Sequence, residues 1–248
     1  MSTHLIKHSF MSLTAAAVVA LAMGAPARAQ QQMEQAPDRN RGEGPFGRLI
    51  IRGVTLIDGA GSPPKGPVDI VIEEDRIVQI RGVGTPFVDI DESRRPGGAT
   101  REIDATGMYA MPGFVDIHVH TGGVPKAPDA EYMYKLWMGH GITTTRGVGY
   151  GSFEFSLREK ARSTRNEITA PRMYVFVRPG QGEGWTGGPI NAPEIARAWV
   201  RWAAEQEIDG ARIDGLKLVA YDPDIMEALI DEAPRFGPGT VAHLAPAV

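Results

Sequence analysis

Two histidines one residue apart, His118 and His120, stand in the otherwise apolar run GFVDIHVHTG of residues 113–122. On an extended strand, alternate side chains share a face, so both imidazoles point one way while Ile117 and Val119 point the other. Two residues along a strand span roughly 7 Å, close enough for the two rings to converge on one ion. Beyond the first 29 residues the chain has two more histidines, His140 in MGHGITTT and His243 in TVAHLA. His243 has apolar neighbours on either side and needs a polar partner there, either a hydrogen bond or an ion.

Lys217, in DGLKLVA, is the other anomaly. Strand parity sends Leu216 and Leu218 to one face and the ammonium to the other, where burial is costly unless the charge is paired or altered. Pairing with Asp116 is one solution. The other is conversion of the amine by CO2 to a carbamate, an anionic oxygen ligand able to bridge two metal ions. The chain contains no cysteine, which excludes disulfides and thiolate sites and leaves only nitrogen and oxygen ligands. Such ligands suit zinc, and also manganese, cobalt or iron.

The elements that must position these groups are readable from periodicity. After Pro112, short apolar runs alternate with helical stretches, the pattern of βα units on a parallel sheet. The runs are 114–120, 143–148, 173–178, 216–219 and 240–244. They predict a (β/α) barrel or an open sheet, with His118, His120 and His243 at the C-terminal strand ends, where barrel active sites lie. His140 precedes its strand and is expected on the far side, structural or exposed. A helix is predicted in NAPEIARAWVRWAAEQEIDG, capped by Asn191, and another begins at Asp222-Pro223. The Gly-rich GQGEGWTGG of residues 180–188 lacks the Lys-Ser/Thr of a phosphate loop and reads as a mobile loop. Trp185 in it, and Tyr221 after the fourth strand, are the candidate substrate contacts.

Upstream, RLIIRGVTLIDG, PVDIVIEEDRIVQI and REIDATGMYAM are β-branched runs cut by Gly, Pro and Asp, which predict antiparallel strands and hairpins in a small β-sandwich-like domain over 48–111. Glu74-Asp75 is its tight turn, and 85–100 its exposed insert. Residues 1–29 combine Lys7, an apolar run from Phe10 to Ala25, and Ala27-Arg28-Ala29, the pattern of a cleaved secretory signal. That predicts a secreted or periplasmic protein with no membrane span after cleavage. Residues 30–47 are polar and aperiodic and read as a flexible leader. A formal charge of −4, more acidic once Lys7 and Arg28 are removed, gives no sign of a nucleic-acid-binding surface, and the expected partner is a small-molecule substrate.

The run DATGMYAMPGFVDIHVHTG, preceded by IVIEEDRIVQI, resembles the amidohydrolase superfamily of metal-dependent hydrolases, and within it the imidazolonepropionase-like and Xaa-Pro dipeptidase-like branch. GITTTRGVG, the lysine of DGLKLVA and the histidine of TVAHLA fall where that superfamily places its second, fourth and fifth barrel strands. The resemblance covers Arg48 to the end. It implies that His118 and His120 bind one metal ion, that carboxylated Lys217 bridges two, and that His243 binds the second, with zinc the expected ion. Such sites activate a bridging water and polarise a scissile carbonyl. The implied reaction is hydrolysis of carbon–nitrogen bonds in cyclic amides or dipeptide-like substrates. A lactone or phosphoester hydrolase on the same scaffold, or a catalytically inactive metal-binding fragment, are the alternatives.

The sequence departs from the family pattern in two respects. Relatives carry a histidine on the sixth strand and an aspartate on the eighth that handles the proton, and neither is present here. A whole barrel takes about 250 residues, so 112–248 is expected to be the N-terminal part of a (β/α)8 barrel of about five strands. An oligomer or a missing C-terminal half would then complete it. Second, Gly147 stands where relatives often have an aspartate, which alters hydrogen bonding on the second strand.

Overall fold

A computed structural model describes residues 34–40, 42–121 and 129–243. The expected signal segment, part of the leader, Gly122 and Leu244 therefore lie outside the described residues.

The first unit is built on β1 (Arg48–Leu56), β2 (Lys65–Glu73), β3 (Arg76–Gly82), β4 (Arg101–Asp104) and β5 (Tyr109–Ala110). β1–β2 and β2–β3 are antiparallel, and Glu74, at φ 53°, makes the tight turn between β2 and β3. β4 and β5 instead run parallel to β1, giving the order β3-β2-β1-β4 with β5 also on β1. The unit is thus one mixed sheet, which corrects both the all-antiparallel reading and the sandwich. The reason is the insert between β3 and β4, which includes the 3-10 turn Glu92–Arg94. It carries the chain across to the free edge of β1, and a crossover of that length, unlike a hairpin, permits a parallel strand.

Within β1 the register slips between Ile51 and Val54. Gly53 occupies that bulge at φ 67°, where a side chain would collide with the Thr106 hydroxyl. The bulge aims the Gly53 N–H at the fully buried Asp69 carboxylate, 2.8 Å away, which also accepts from the Arg52 guanidinium at 2.8 Å. A buried carboxylate is tolerated because both oxygens are satisfied.

The second unit is a sheet of five parallel strands in the order β10-β9-β8-β7-β6, curled as half of a barrel. The strands are β6 (Phe114–Val119), β7 (Ile142–Gly147), β8 (Arg172–Val177), β9 (Gly215–Leu218) and β10 (Gly239–Ala242). Each starts within a residue of its sequence-read position. Four helices follow them: α1 (Ala130–Gly139), α2 (Phe153–Thr164), α3 (Pro193–Glu205) and α4 (Pro223–Glu232). Met173, Val175 and Val177 of β8 and Leu216 and Leu218 of β9 pack beneath the helices. α3 buries Ala196, Trp199, Val200 and Ala203, the i, i+3, i+4, i+7 stripe of a helix with one apolar face. Asp129 and Ser152 cap α1 and α2 through the N–H groups of Tyr132 and Phe155. The α3 cap is Ala192, not Asn191, because Pro193 takes the first helical position.

Residues 34–40 run against α2. Ala36 is buried, its N–H donates to Glu159 Oε2 at 3.2 Å, and the Asp38 carboxylate pairs with Arg162 at 2.8 Å. Polar composition reads such a stretch as a leader, but a few specific partners on α2 hold this part of it. No helix among the described residues is long and apolar enough to cross a membrane.

Candidate metal centre

The concave face of the parallel sheet carries the groups singled out by type and spacing. β6 presents Asp116 and His118, and His120 follows at the strand end. The Asp116 carboxylate accepts the His118 backbone N–H at 3.0 Å, which fixes the backbone under the ring. The chain after β7 passes so close to His120 that a Cβ at Gly149 would lie 2.8 Å from its Nδ1, so only glycine fits without a shift. On β9, Lys217 is 1% exposed. His243 follows β10, its N–H bonded to the Leu218 carbonyl at 2.9 Å.

These four side chains meet. The Nε2 atoms of His118 and His120 are 3.3 Å apart. Lys217 Nζ lies 3.5 Å from His118 Nε2 and 3.5 Å from His243 Nδ1, bridging the pair to the third ring. Two nitrogens bound tetrahedrally at about 2.0–2.1 Å from one ion stand roughly 3.3 Å apart, so the His118–His120 separation fits a shared metal. The same separation serves an N–H···N hydrogen bond when one ring carries its proton there. Among the described residues no three His, Asp or Glu side chains alone form a group that could hold a metal. The His118 ring also meets the His243 ring edge-on, with centroids 6.0 Å apart, and Lys217 Nζ lies within 3.5 Å of both, so the amine sits among three contiguous imidazoles.

Electrostatics favour the ligand forms. Burial first, then the charges of Lys217, His243 and Arg146, lower the His118 imidazole below its ordinary range. Burial and then His118 do the same to His120. A shift in that direction favours the neutral ring, which offers a metal an unprotonated nitrogen. Burial, followed by Arg178 and Arg146, lowers the Lys217 ammonium and favours the neutral amine. Lys217 forms no ion pair among the described residues, and Asp116, the alternative partner, is engaged with the His118 N–H.

Other expected positions fall elsewhere. His140 caps α1, its Nδ1 2.8 Å from the Leu136 carbonyl, away from the histidine cluster. Trp185 stacks on Trp202 with ring centroids 5.7 Å apart and donates to the Gly188 carbonyl, so no ring contact or hydrogen bond joins it to the four site groups. The Gly-rich loop that holds it is tied down through Trp199, which donates to the Gln181 carbonyl, and through the Glu183 N–H, which donates to Glu154. Tyr221 is half-buried after β9, and burial raises its phenol above the ordinary range. Arg146 and Arg178 were not among the sequence candidates, although both project onto this face.

Gly147 is explained by a neighbour. The Tyr150 ring occupies the space that a Cβ at 147 would take, and its hydroxyl is bonded to Thr145 Oγ1 at 2.6 Å in the core. An aspartate here requires the ring to leave. Gly147→Ala is expected to destabilise the fold by about 1–3 kcal/mol in urea unfolding, as overpacking does. The penalty should shrink in a Tyr150→Ala background, and an equal penalty in both backgrounds would show that the ring is not the obstacle.

No family model matches the chain. Among curated proteins, it is 35% identical over 91 residues to a dihydroorotase of Thermus aquaticus, spanning 37% of this chain and 17% of that one. It is 27% identical over 196 residues to an N-acyl-D-aspartate deacylase of Alcaligenes xylosoxydans xylosoxydans, spanning 76% of this chain and 35% of the relative. The solved structure of molinate hydrolase superposes with TM-score 0.60 at 18% identity, covering 80% of this chain and 54% of that one. A Xaa-Pro dipeptidase with bound methionine gives TM-score 0.55 at 20% identity, covering 79% and 56%. At these identities the structural likeness shows the fold. The chain spans about a third or less of the curated relatives named here and about half of the structural neighbours.

Proposed function

Because these relatives and neighbours indicate the amidohydrolase superfamily over the part of their length that the chain spans, we propose that it belongs to a metal-dependent hydrolase of carbon–nitrogen bonds. Its substrates are amides, cyclic amides or dipeptide-like molecules. The observation that carries this reading is the convergence of His118, His120, Lys217 and His243. The relatives' names, a dihydroorotase, a deacylase and a dipeptidase, support the bond type.

His118 and His120 would hold one divalent ion, His243 a second, and Lys217, as its carbamate, the oxygen bridge between them, with zinc the expected metal. Bound there, the metal supplies Lewis acidity that makes water a nucleophile at neutral pH and polarises a carbonyl. The chain's own residues prepare the place. Asp116 fixes the His118 backbone, Gly149 makes room for His120, and the lowering of both imidazoles and of the Lys217 ammonium favours their neutral forms. Export through the 1–29 signal segment, to the periplasm or beyond, is part of the same proposal.

Elemental analysis of the purified protein, beside turnover of a panel of dipeptides, N-acyl amino acids and cyclic amides, tests it. The expected result is bound metal, with hydrolysis abolished by a chelator and restored by zinc. Metal without turnover would replace the hydrolase by a metal-binding reading, and protein that takes up no metal would sink both.

A further inference from the structure

Three cationic side chains share the concave face. Val177 of β8 pairs with Leu216 of β9, so the next residue along each strand sets Arg178 beside Lys217, with neighbouring strands about 4.8 Å apart. On β7, Arg146 pairs with Tyr174, donates from Nε to the Ile117 carbonyl at 2.8 Å, and lies with its guanidinium carbon 5.4 Å from the centre of the Phe176 ring. Those contacts hold the base of the guanidinium and leave its terminal nitrogens without a hydrogen bond to any described residue. Neither arginine forms an ion pair among the described residues, while most other arginines that interact do so with carboxylates. Arg178 is exposed, but its backbone is held: its N–H donates to the Gln181 side chain at 3.2 Å, and its carbonyl accepts the Gln181 N–H.

A concave face with two unpaired guanidinium groups, one anchored and one exposed, is arranged to receive an anion. A guanidinium offers a planar fork of donors that matches a carboxylate. Aromatic residues Tyr174 and Phe176, on the same face of β8, flank the two arginines and suit an apolar group beside the anion. We propose that Arg178, backed by Arg146, anchors a carboxylate carried by the substrate, so that this site takes N-acyl amino acids or dipeptides with a free carboxylate in preference to neutral amides. The proposal rests on the hydrolase reading for its scissile bond, but the anchor itself is a matter of binding.

Titration calorimetry of the full chain with N-benzoylglycine and with its neutral amide, N-benzoylglycinamide, separates the two. Charge-assisted hydrogen bonds predict a preference for the acid of about tenfold or more. Arg178→Gln should bring the two ligands within about twofold, and Arg178→Lys should retain part of the preference, since it keeps the charge but loses the fork. The same titrations after chelation show whether the preference belongs to the arginines or to bound metal. Circular dichroism checks the fold of each variant, and because Arg178 is exposed its variants decide the matter even where Arg146→Gln does not fold. Equal affinity for acid and amide, a preference that survives in Arg178→Gln, one that vanishes on chelation, or no binding of either ligand at millimolar concentration overturns the anchor. Selective binding without turnover would leave the anchor standing and remove the hydrolase, whereas turnover with no preference for the acid would do the reverse.

Discussion

A Lys217→Met variant is expected to fold at least as well as the parent and to lose roughly 100-fold or more in metal affinity, with hydrolysis falling below detection, in line with the large effects of disturbing metal sites. Two features of the side chain drive the prediction. Lys217 is almost fully buried and has no carboxylate partner among the described residues, so its amine is a desolvated group whose replacement by an apolar chain of similar length removes a penalty. It also stands 3.5 Å from both His118 and His243, and it is the group placed to supply a ligand shared between them. Structural and ligand roles therefore predict opposite signs for stability. Urea unfolding and elemental analysis of the same preparation read both quantities. Unchanged metal stoichiometry in the variant would end the bridging role, and a loss of stability together with unchanged metal would make Lys217 a packing residue.

His118, His120 and Lys217 were legible because each shows strand parity in its own short segment, whereas His243, apolar on both sides, was reached through the other two histidines and the family resemblance. In DIHVH of residues 116–120 and LKL of residues 216–218, apolar and chemically capable residues alternate, so the inward set can be written down without the fold. Arg146 and Arg178 escaped because their strands lack that contrast. RMYVFV is apolar at every position after its first, and ITTTRG is polar on both faces, so parity assigns neither arginine a side until the neighbouring strands are known. The packing of Trp185 was hidden for the opposite reason. A tryptophan among glycines reads as exposed, yet WVRW on α3 places Trp202 where the loop comes down and gives the indole a partner. The parallel placement of β4 and β5 was hidden because local turn chemistry describes hairpins and says nothing of which edge a long insert reaches.

Trp199→Ala is expected to be the most damaging core substitution, costing about 3–5 kcal/mol, the range for deleting a buried aromatic side chain. Trp199 is completely buried at the centre of the α3 stripe. Its indole N–H also donates 2.9 Å to the Gln181 carbonyl, and Gln181 holds the backbone of Arg178 from both sides. One side chain thus links the helix layer to the loop that carries the exposed arginine. Trp199→Phe separates the two functions, since it keeps most of the apolar volume and removes only the donor. It should cost about 1–3 kcal/mol, the loss of a hydrogen bond that leaves a carbonyl unsatisfied. Beyond that, it should weaken the preference for N-benzoylglycine over its amide, although residue 199 itself belongs to the α3 core. A packing role alone would lower the urea midpoint and leave ligand preference untouched. A Trp199→Ala penalty below about 1 kcal/mol would show that the α3 stripe is not what holds this half-barrel together, because such a value is typical of surface positions.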